Sequence, residues 1–155
     1  MQDIKIFSFE NNNFRGFFSG LLKKKKVFDK SNIRILFIDD EFDDFPVIQN
    51  LIDAGWAVEG IGDVQNIDDD IVKRSHIIFV DYKGVGQKLS ESEQGIGLIK
   101  LLKNNYKDSK RVGLYSGHNR FSLGDDFDIA DFRLSKNTDT REFIEVIQNQ
   151  ILKLK

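Results

Sequence analysis

The chain contains no cysteine. Disulfides, thiolate nucleophiles and cysteine-ligated zinc or iron–sulfur centres are therefore excluded. Histidine occurs twice, as His76 and His118, at no spacing that makes a metal pair. Proline occurs once, as Pro46, where the first turn of a helix tolerates its missing N–H. No charge sign dominates: 23 basic residues stand against 25 acidic ones, for a net charge of −2. A general nucleic-acid binder normally carries a strongly basic face, so no nucleic-acid partner is expected. Long apolar runs are also missing. Ile35–Ile38 and Ile77–Val80 are far too short to span a bilayer. The N-terminus lacks a cleavable-signal pattern, because its lysines follow the apolar residues instead of preceding them. The expected location is cytoplasmic.

What is present is enough to fold. At 155 residues the length favours one domain, and 40% hydrophobic with 12% aromatic residues supplies a core. Charge divides the chain. Residues 1–30 carry seven basic and three acidic residues, whereas the remaining 125 carry 16 basic and 22 acidic. A basic leader, 1–30, thus precedes an acidic body, 31–155, with a polar junction at Asp29-Lys30-Ser31-Asn32. Within the leader, Phe14, Phe17, Phe18, Leu21 and Leu22 fall on one face of a helix, followed by Lys23 to Lys26. That face suits packing on the body or on a second copy, making a homodimer. With its lysines, segment 14–26 also suits an anionic membrane surface. Ile4, Phe7 and Phe9 suit a small edge strand.

The body alternates short β-rich runs with helical patterns. Strands are expected at Arg34–Ile38, Trp56–Ile61, His76–Val80, Arg111–Tyr115 and Ile129–Leu134. Helices are expected at Phe45–Ala54, Asn66–Arg74 (capped by Asn66), Ile96–Tyr106, Phe121–Phe127 and Thr138–Leu152. Strict alternation with short connections implies an α/β fold, a doubly wound five-stranded parallel sheet with helices on both faces and a short N-terminal extension. In such folds ligand chemistry gathers where the strands end.

Four of those strand ends carry chemistry. The first runs into Asp39-Asp40-Glu41, the third into Asp81, the fourth into Ser116 and the fifth into Lys136. Close carboxylates repel unless a cation sits among them, and magnesium favours such oxygen ligands. Asp81 then suits a nucleophile toward a phosphoryl donor, with magnesium, Lys136 and the Ser116 hydroxyl offsetting charge on the transferred oxygens. Asp43, Asp44 and Asp68 to Asp70 fit helix N-termini and exposed faces instead. His118, two residues past Ser116, is either a loop residue or one that tunes access to the phosphoryl group.

The segments Ile35-Leu36-Phe37-Ile38-Asp39-Asp40-Glu41, Ile78-Phe79-Val80-Asp81-Tyr82, Leu114-Tyr115-Ser116-Gly117 and Leu134-Ser135-Lys136 resemble the receiver domains of two-component response regulators, in their single-domain chemotaxis-type form. The resemblance covers Ile33 to Lys155. It implies a flavodoxin-like fold and a set of roles. Asp81 is the phosphoacceptor. Asp40 and Asp81 bind Mg2+ directly, Asp39 does so through water, and the Lys83 backbone carbonyl completes the protein ligands. Ser116 is the switch hydroxyl, and Lys136 pairs with the phosphoryl group. The implied donor is a histidine kinase or phosphotransfer protein. With no room for a DNA-binding output domain, output passes to an unknown protein by contact.

Three positions depart from the resemblance. Asn137 stands where proline usually follows the lysine, so a cis peptide is not expected there and Lys136 is expected to be held less rigidly. Arg133 occupies the usual switch-aromatic position, and Phe132, one step earlier, faces the other side of its strand. The segment Lys83–Gln94 is long and rich in Gly, Ser and Glu, suiting a lid or docking loop. The expected function is a phosphorylatable signalling switch rather than a turnover enzyme. A receiver-like binding module independent of phosphorylation is the second reading, motivated by Arg133 and Asn137. A phosphatase of the haloacid-dehalogenase class fits worst, because Asp39-Asp40-Glu41-Phe42 lacks its Asp-x-Asp pattern.

Overall fold

The apolar runs Ile35–Ile38 and Ile77–Val80 become strands, and the computed structural model describes residues 28–117 and 128–155. In chain order the elements are β1 (Arg34–Ile38), α1 (Pro46–Asp53), β2 (Ala57–Ile61), α2 (Asp70–Arg74), β3 (Ile77–Asp81), α3 (Gln94–Tyr106), β4 (Arg111–Ser116), β5 (Phe132–Ser135) and α4 (Thr140–Ile151). The strands form one all-parallel sheet in the order β2-β1-β3-β4-β5. This is the doubly wound, flavodoxin-like arrangement that the alternation implies. The helix expected at Phe121–Phe127, the leader helix at 14–22, the strand near Ile4–Phe9, and His118 lie outside the described residues.

Strand periodicity divides the core into two layers. Leu36, Ile38, Ile78, Val80, Val112 and Leu114 point to one side, where α3 adds Ile96, Leu98, Ile99 and Leu102 and α2 adds Val72. Ile35, Phe37, Ile77, Phe79 and Tyr115 point to the other, under Val47 and Leu51 of α1 and Phe143 and Ile147 of α4. All five residues of β3 are buried, as expected for a central strand covered on both faces. The edge strand β2 is only half-buried throughout. The chain enters this core at Phe28, whose ring lies 5.9 Å from that of Trp56, before a 3-10 turn at Lys30–Asn32 held by the Asp29 side chain.

Of the boundaries that differ from expectation, three have a visible local cause. Asn66 does not cap α2. Its side chain accepts the Asp68 N–H at 3.0 Å and its carbonyl accepts the Asp69 N–H at 3.1 Å, so a local turn uses these groups and the helix waits until Asp70. β5 starts at Phe132 instead of Ile129, and at Asp131 the side chain takes over as acceptor from β4. Its carboxylate takes the Val112 N–H at 2.8 Å and pairs with Lys103 and Arg111. α4 starts at Thr140, since the Asp139 side chain accepts the Glu142 N–H at 3.0 Å and is the better cap.

Register sets up the site. Ile38 lies beside Val80, Val80 beside Leu114, and Asp81 beside Tyr115. The C-terminal ends of β1, β3 and β4 are therefore level, and the residues that follow them meet at one edge of the sheet.

Candidate functional site

At that edge Asp39, Asp40 and Asp81 each offer a carboxylate oxygen, and these atoms lie within 4.8 Å of one another. A cleft of about 260 Å³ opens there, lined by Asp40, Glu41, Asp81, Lys83, Gly84, Ser116, Gly117 and Lys136. Every expected site residue except Asp39 thus borders one cavity. Asp39 sits beneath it, fully buried.

Lys136 ties the floor together. Its Nζ donates to Asp81 Oδ2 at 2.7 Å and lies 2.8 Å from Asp39 Oδ2. The lysine expected to be held less rigidly has main-chain contacts as well. The described residues contain no cis peptide bond, as expected, yet the Lys136 backbone N–H donates to the Ser116 carbonyl at 2.9 Å and the Asn137 side chain reaches the Gly117 carbonyl.

Tyr115 is a participant that sequence reasoning did not find. Its hydroxyl donates to Asp39 Oδ2 at 2.6 Å, and Lys136 Nζ stands 5.1 Å from the centre of its ring. The Glu41 N–H donates to Asp39 Oδ1 at 3.0 Å. Three donors therefore hold Asp39, and of the three aspartates Asp40 and Asp81 are the ones that line the cleft. Alternation along β4 signals that Tyr115 faces the side opposite Leu114. Only the packing shows that its hydroxyl reaches across to the end of β1.

These contacts move the titrations apart. Burial pushes the Asp81 carboxyl up, and the Asp39 charge adds to that. Lys136 opposes both, but the net shift is upward. Burial also pushes Asp39 up, yet the donors Lys136, Tyr115 and the Glu41 N–H outweigh it and hold it below the usual carboxylate value. Burial pulls the Lys136 ammonium down, while Asp39 and Asp81 more than offset this and leave it raised. The Tyr115 phenol is driven up by burial first and then by its bond to Asp39, so it stays a donor.

The donor set suits a hard divalent cation. Three carboxylates and one ammonium leave a formal charge of −2 to be balanced. Asp40 is exposed, so a partly hydrated ion can reach it. Gly84 supplies the room. It has φ of +81°, and a Cβ there would fall 2.4 Å from the Asp40 carboxyl atoms. Ser116, buried at the end of β4, and Lys83 complete the polar walls.

The remaining sequence features resolve differently. Phe132 packs edge-on against Phe79 at 5.0 Å on the aromatic side of the sheet, while Arg133 pairs with Asp128. His76 accepts the Arg34 N–H through Nδ1 at 3.0 Å, far from this edge in the register. Segment 83–94 is folded down: Val85 is fully buried, and the Ser90 N–H donates to the Gly86 carbonyl at 2.7 Å.

No family model matches the sequence, and no curated protein matches it. Solved structures do. The receiver domain of NtrX from Brucella abortus is 21% identical, with a TM-score of 0.61 over 76% of this chain and 98% of that one. Within the longer NtrX chain, solved with ATP, the match covers only 27% of its length. A CheY-like receiver domain protein from Methanospirillum hungatei JF-1 is 17% identical, with a TM-score of 0.58 over 78% of this chain and 94% of that one. The response regulator TrrA from Thermotoga maritima, solved with Mg(2+)-BeF, is 15% identical, with a TM-score of 0.59 over 76% and 98%. At these identities the likeness establishes the fold, and the fold is that of response-regulator receiver domains.

Proposed function

We propose that this chain is a response-regulator receiver, taking a phosphoryl group on Asp81 from a histidine kinase or phosphotransfer protein and signalling through protein contacts. The observation that carries the reading is the convergence of Asp40, Asp81, Ser116 and Lys136 on one cleft, above a buried Asp39. The four residues at the cleft follow four different strand ends, and an incidental surface cluster has no reason to include a lysine bridging two carboxylates.

In the proposed step an Asp81 carboxylate oxygen attacks phosphorus. The bond between phosphorus and the donor imidazole nitrogen breaks, its electron pair stays on that nitrogen, and an acyl phosphate remains on Asp81. Lys136, released from Asp81 as that carboxylate's charge is shared, follows the charge onto the phosphoryl oxygens. Ser116 donates to the same oxygens. Asp40, Asp81 and the Lys83 carbonyl would hold Mg2+, with Asp39 acting through water, and the ion would neutralise developing charge on the phosphoryl oxygens. Water attack on phosphorus returns the carboxylate and inorganic phosphate. No helix among the described residues is long and apolar enough to cross a membrane, in keeping with a cytoplasmic switch. The basic leader, 1–30, is proposed to pack on the body or a second copy, with the membrane-surface role of 14–26 as its alternative.

Acetyl phosphate with magnesium should give the protein an acid-stable, base-labile acyl phosphate, and Asp81→Asn should give none. Equal labelling of Asp81→Asn would overturn the reading. A second reading, a binding module that needs no phosphorylation, draws on Arg133, whose guanidinium pairs with Asp128 where the usual switch aromatic would stand. It predicts that the parent protein also stays unlabelled.

A further inference from the structure

The geometry points to Asp63 as a positioning residue for the metal site, acting through the β3–α3 connection rather than touching the ion. This rests on the receiver reading of that site. Asp63 follows β2 and is absent from the lining of the cleft. Its carboxylate nevertheless gathers three backbone donors. Oδ1 accepts the Val64 N–H at 2.7 Å and the Gly86 N–H at 2.6 Å, and Oδ2 accepts the Gln87 N–H at 3.2 Å. Two of those donors belong to the connection, 23 and 24 residues further along the chain.

The rest of the connection is fixed from both sides. The Tyr82 N–H donates to the Tyr115 carbonyl at 3.2 Å and to Asp81 Oδ1 at 2.7 Å, which anchors the end of β3. The Gly84 N–H donates to Gln94 Oε1 at 3.2 Å, and the Gln87 side-chain amide donates to the Gly84 carbonyl at 3.2 Å. Val85, fully buried, plugs the aliphatic core beside them. Gln94 closes the loop with φ of +47°, a conformation that a non-glycine residue keeps only when its surroundings hold it there.

Only Lys83 stands between these fixed points, and Lys83 lines the cleft. Its carbonyl has no freedom of its own: Tyr82 sets one end, and the Gly84–Gln87 run, clipped to Asp63, sets the other. Gly84 has the same dependence. It passes so close to the Asp40 carboxyl that a Cβ would push that side chain aside, so a shift of this run moves the wall against which Asp40 rests. A charged acceptor with three N–H donors is worth more than a neutral one, and its loss frees all three at once. The long connection is thus a clipped strap, not a lid, and Asp63 is the clip.

The test titrates magnesium chloride into the full chain by calorimetry, with backbone amide exchange as the second readout. Asp63→Ala should bind magnesium about tenfold more weakly, the usual size of an outer-shell effect. Its Gly86 and Gln87 amides should exchange roughly tenfold faster, as the loss of a charged hydrogen bond allows. Asp63→Asn keeps one acceptor oxygen and should fall between. It also carries the test if the alanine variant fails to fold. Asp40→Ala separates the two levels of the account. Parental affinity in Asp40→Ala would mean that the ion binds elsewhere and that the site reading has failed. Weak binding in Asp40→Ala together with parental affinity in Asp63→Ala, or in a folded Asp63→Asn whose Gly86 and Gln87 amides exchange faster, would leave the site standing and overturn the role of Asp63. A merely structural clip would change exchange and thermal stability without moving affinity.

Discussion

The two faces of the sheet are built from different chemistry. One side is aliphatic: leucine, isoleucine and valine from β1, β3 and β4 meet α2 and α3. The other is rich in aromatic rings, with Phe37, Tyr115, Phe132 and Phe143 each meeting Phe79 and with Trp56 at its margin. Phe37 and Phe79 stack at 4.5 Å, and Tyr115 meets both edge-on at 5.5 Å and 5.9 Å. Each face reaches the acidic edge by its own route. The aliphatic face supports it through Val85 beneath the strap. The aromatic face supports it through the hydroxyl of Tyr115, which ends in Asp39. A hydrocarbon layer can only hold up the wall of the site, whereas an aromatic layer with one phenol can also donate to its floor.

Truncation should expose that contrast most strongly. Phe79→Ala removes the ring that stacks on Phe37 and meets Tyr115, Phe132 and Phe143, and should cost about 3–5 kcal/mol in urea unfolding. Leu98→Ala, equally buried on the aliphatic side, should cost about 2–4 kcal/mol. The sharper difference lies in the tyrosine: Phe79→Ala should disturb its near-ultraviolet signal and Leu98→Ala should not. A Leu98→Ala that perturbs that signal as much would erase the distinction between the faces.

Tyr115→Phe is the next smaller step. It keeps the ring and deletes only the donor to a buried carboxylate, so about 2 kcal/mol of stability should go. Unchanged unfolding would mean that Lys136 and the Glu41 N–H hold Asp39 without it.

Asp81→Asn should have the smallest effect on stability, and of opposite sign. The Asp81 pKa is raised by burial and by Asp39, so at neutral pH the ionised carboxylate works against folding. The neutral amide should raise the melting midpoint by about 2–4 °C. As pH falls through the raised folded value the parent carboxyl becomes neutral too, and below the ordinary value of 3.8 the difference should vanish. A gain that persists in acid would have some other cause.

Much of this was legible in the sequence. Four strand-end clusters in order led to Asp39, Asp40, Asp81, Ser116 and Lys136, because strands ending level in a parallel sheet must bring such residues together. What the sequence hid depends on reach across the chain. Nothing local connects Asp63 to the N–H groups of Gly86 and Gln87, or Tyr115 to Asp39, 76 residues away. The long connection suited a lid or a docking loop because glycine, serine and glutamate suit loops of any kind, and its buried anchors lie on other elements. Asn66 misled for a simpler reason: the residue that caps a helix equally well closes a turn just before one.

The central claim is that this one edge of the sheet is a combined metal and phosphoryl site. Its most direct test is a backbone amide spectrum recorded as magnesium and beryllium fluoride are added together, the latter standing in for a phosphoryl group on Asp81. The amides of Asp40, Lys83, Gly84, Ser116, Gly117 and Lys136 should shift, while those of His76 and Lys110 at the opposite end of the sheet stay in place. A spectrum that does not change, or one whose largest shifts fall away from that cleft, would contradict the account.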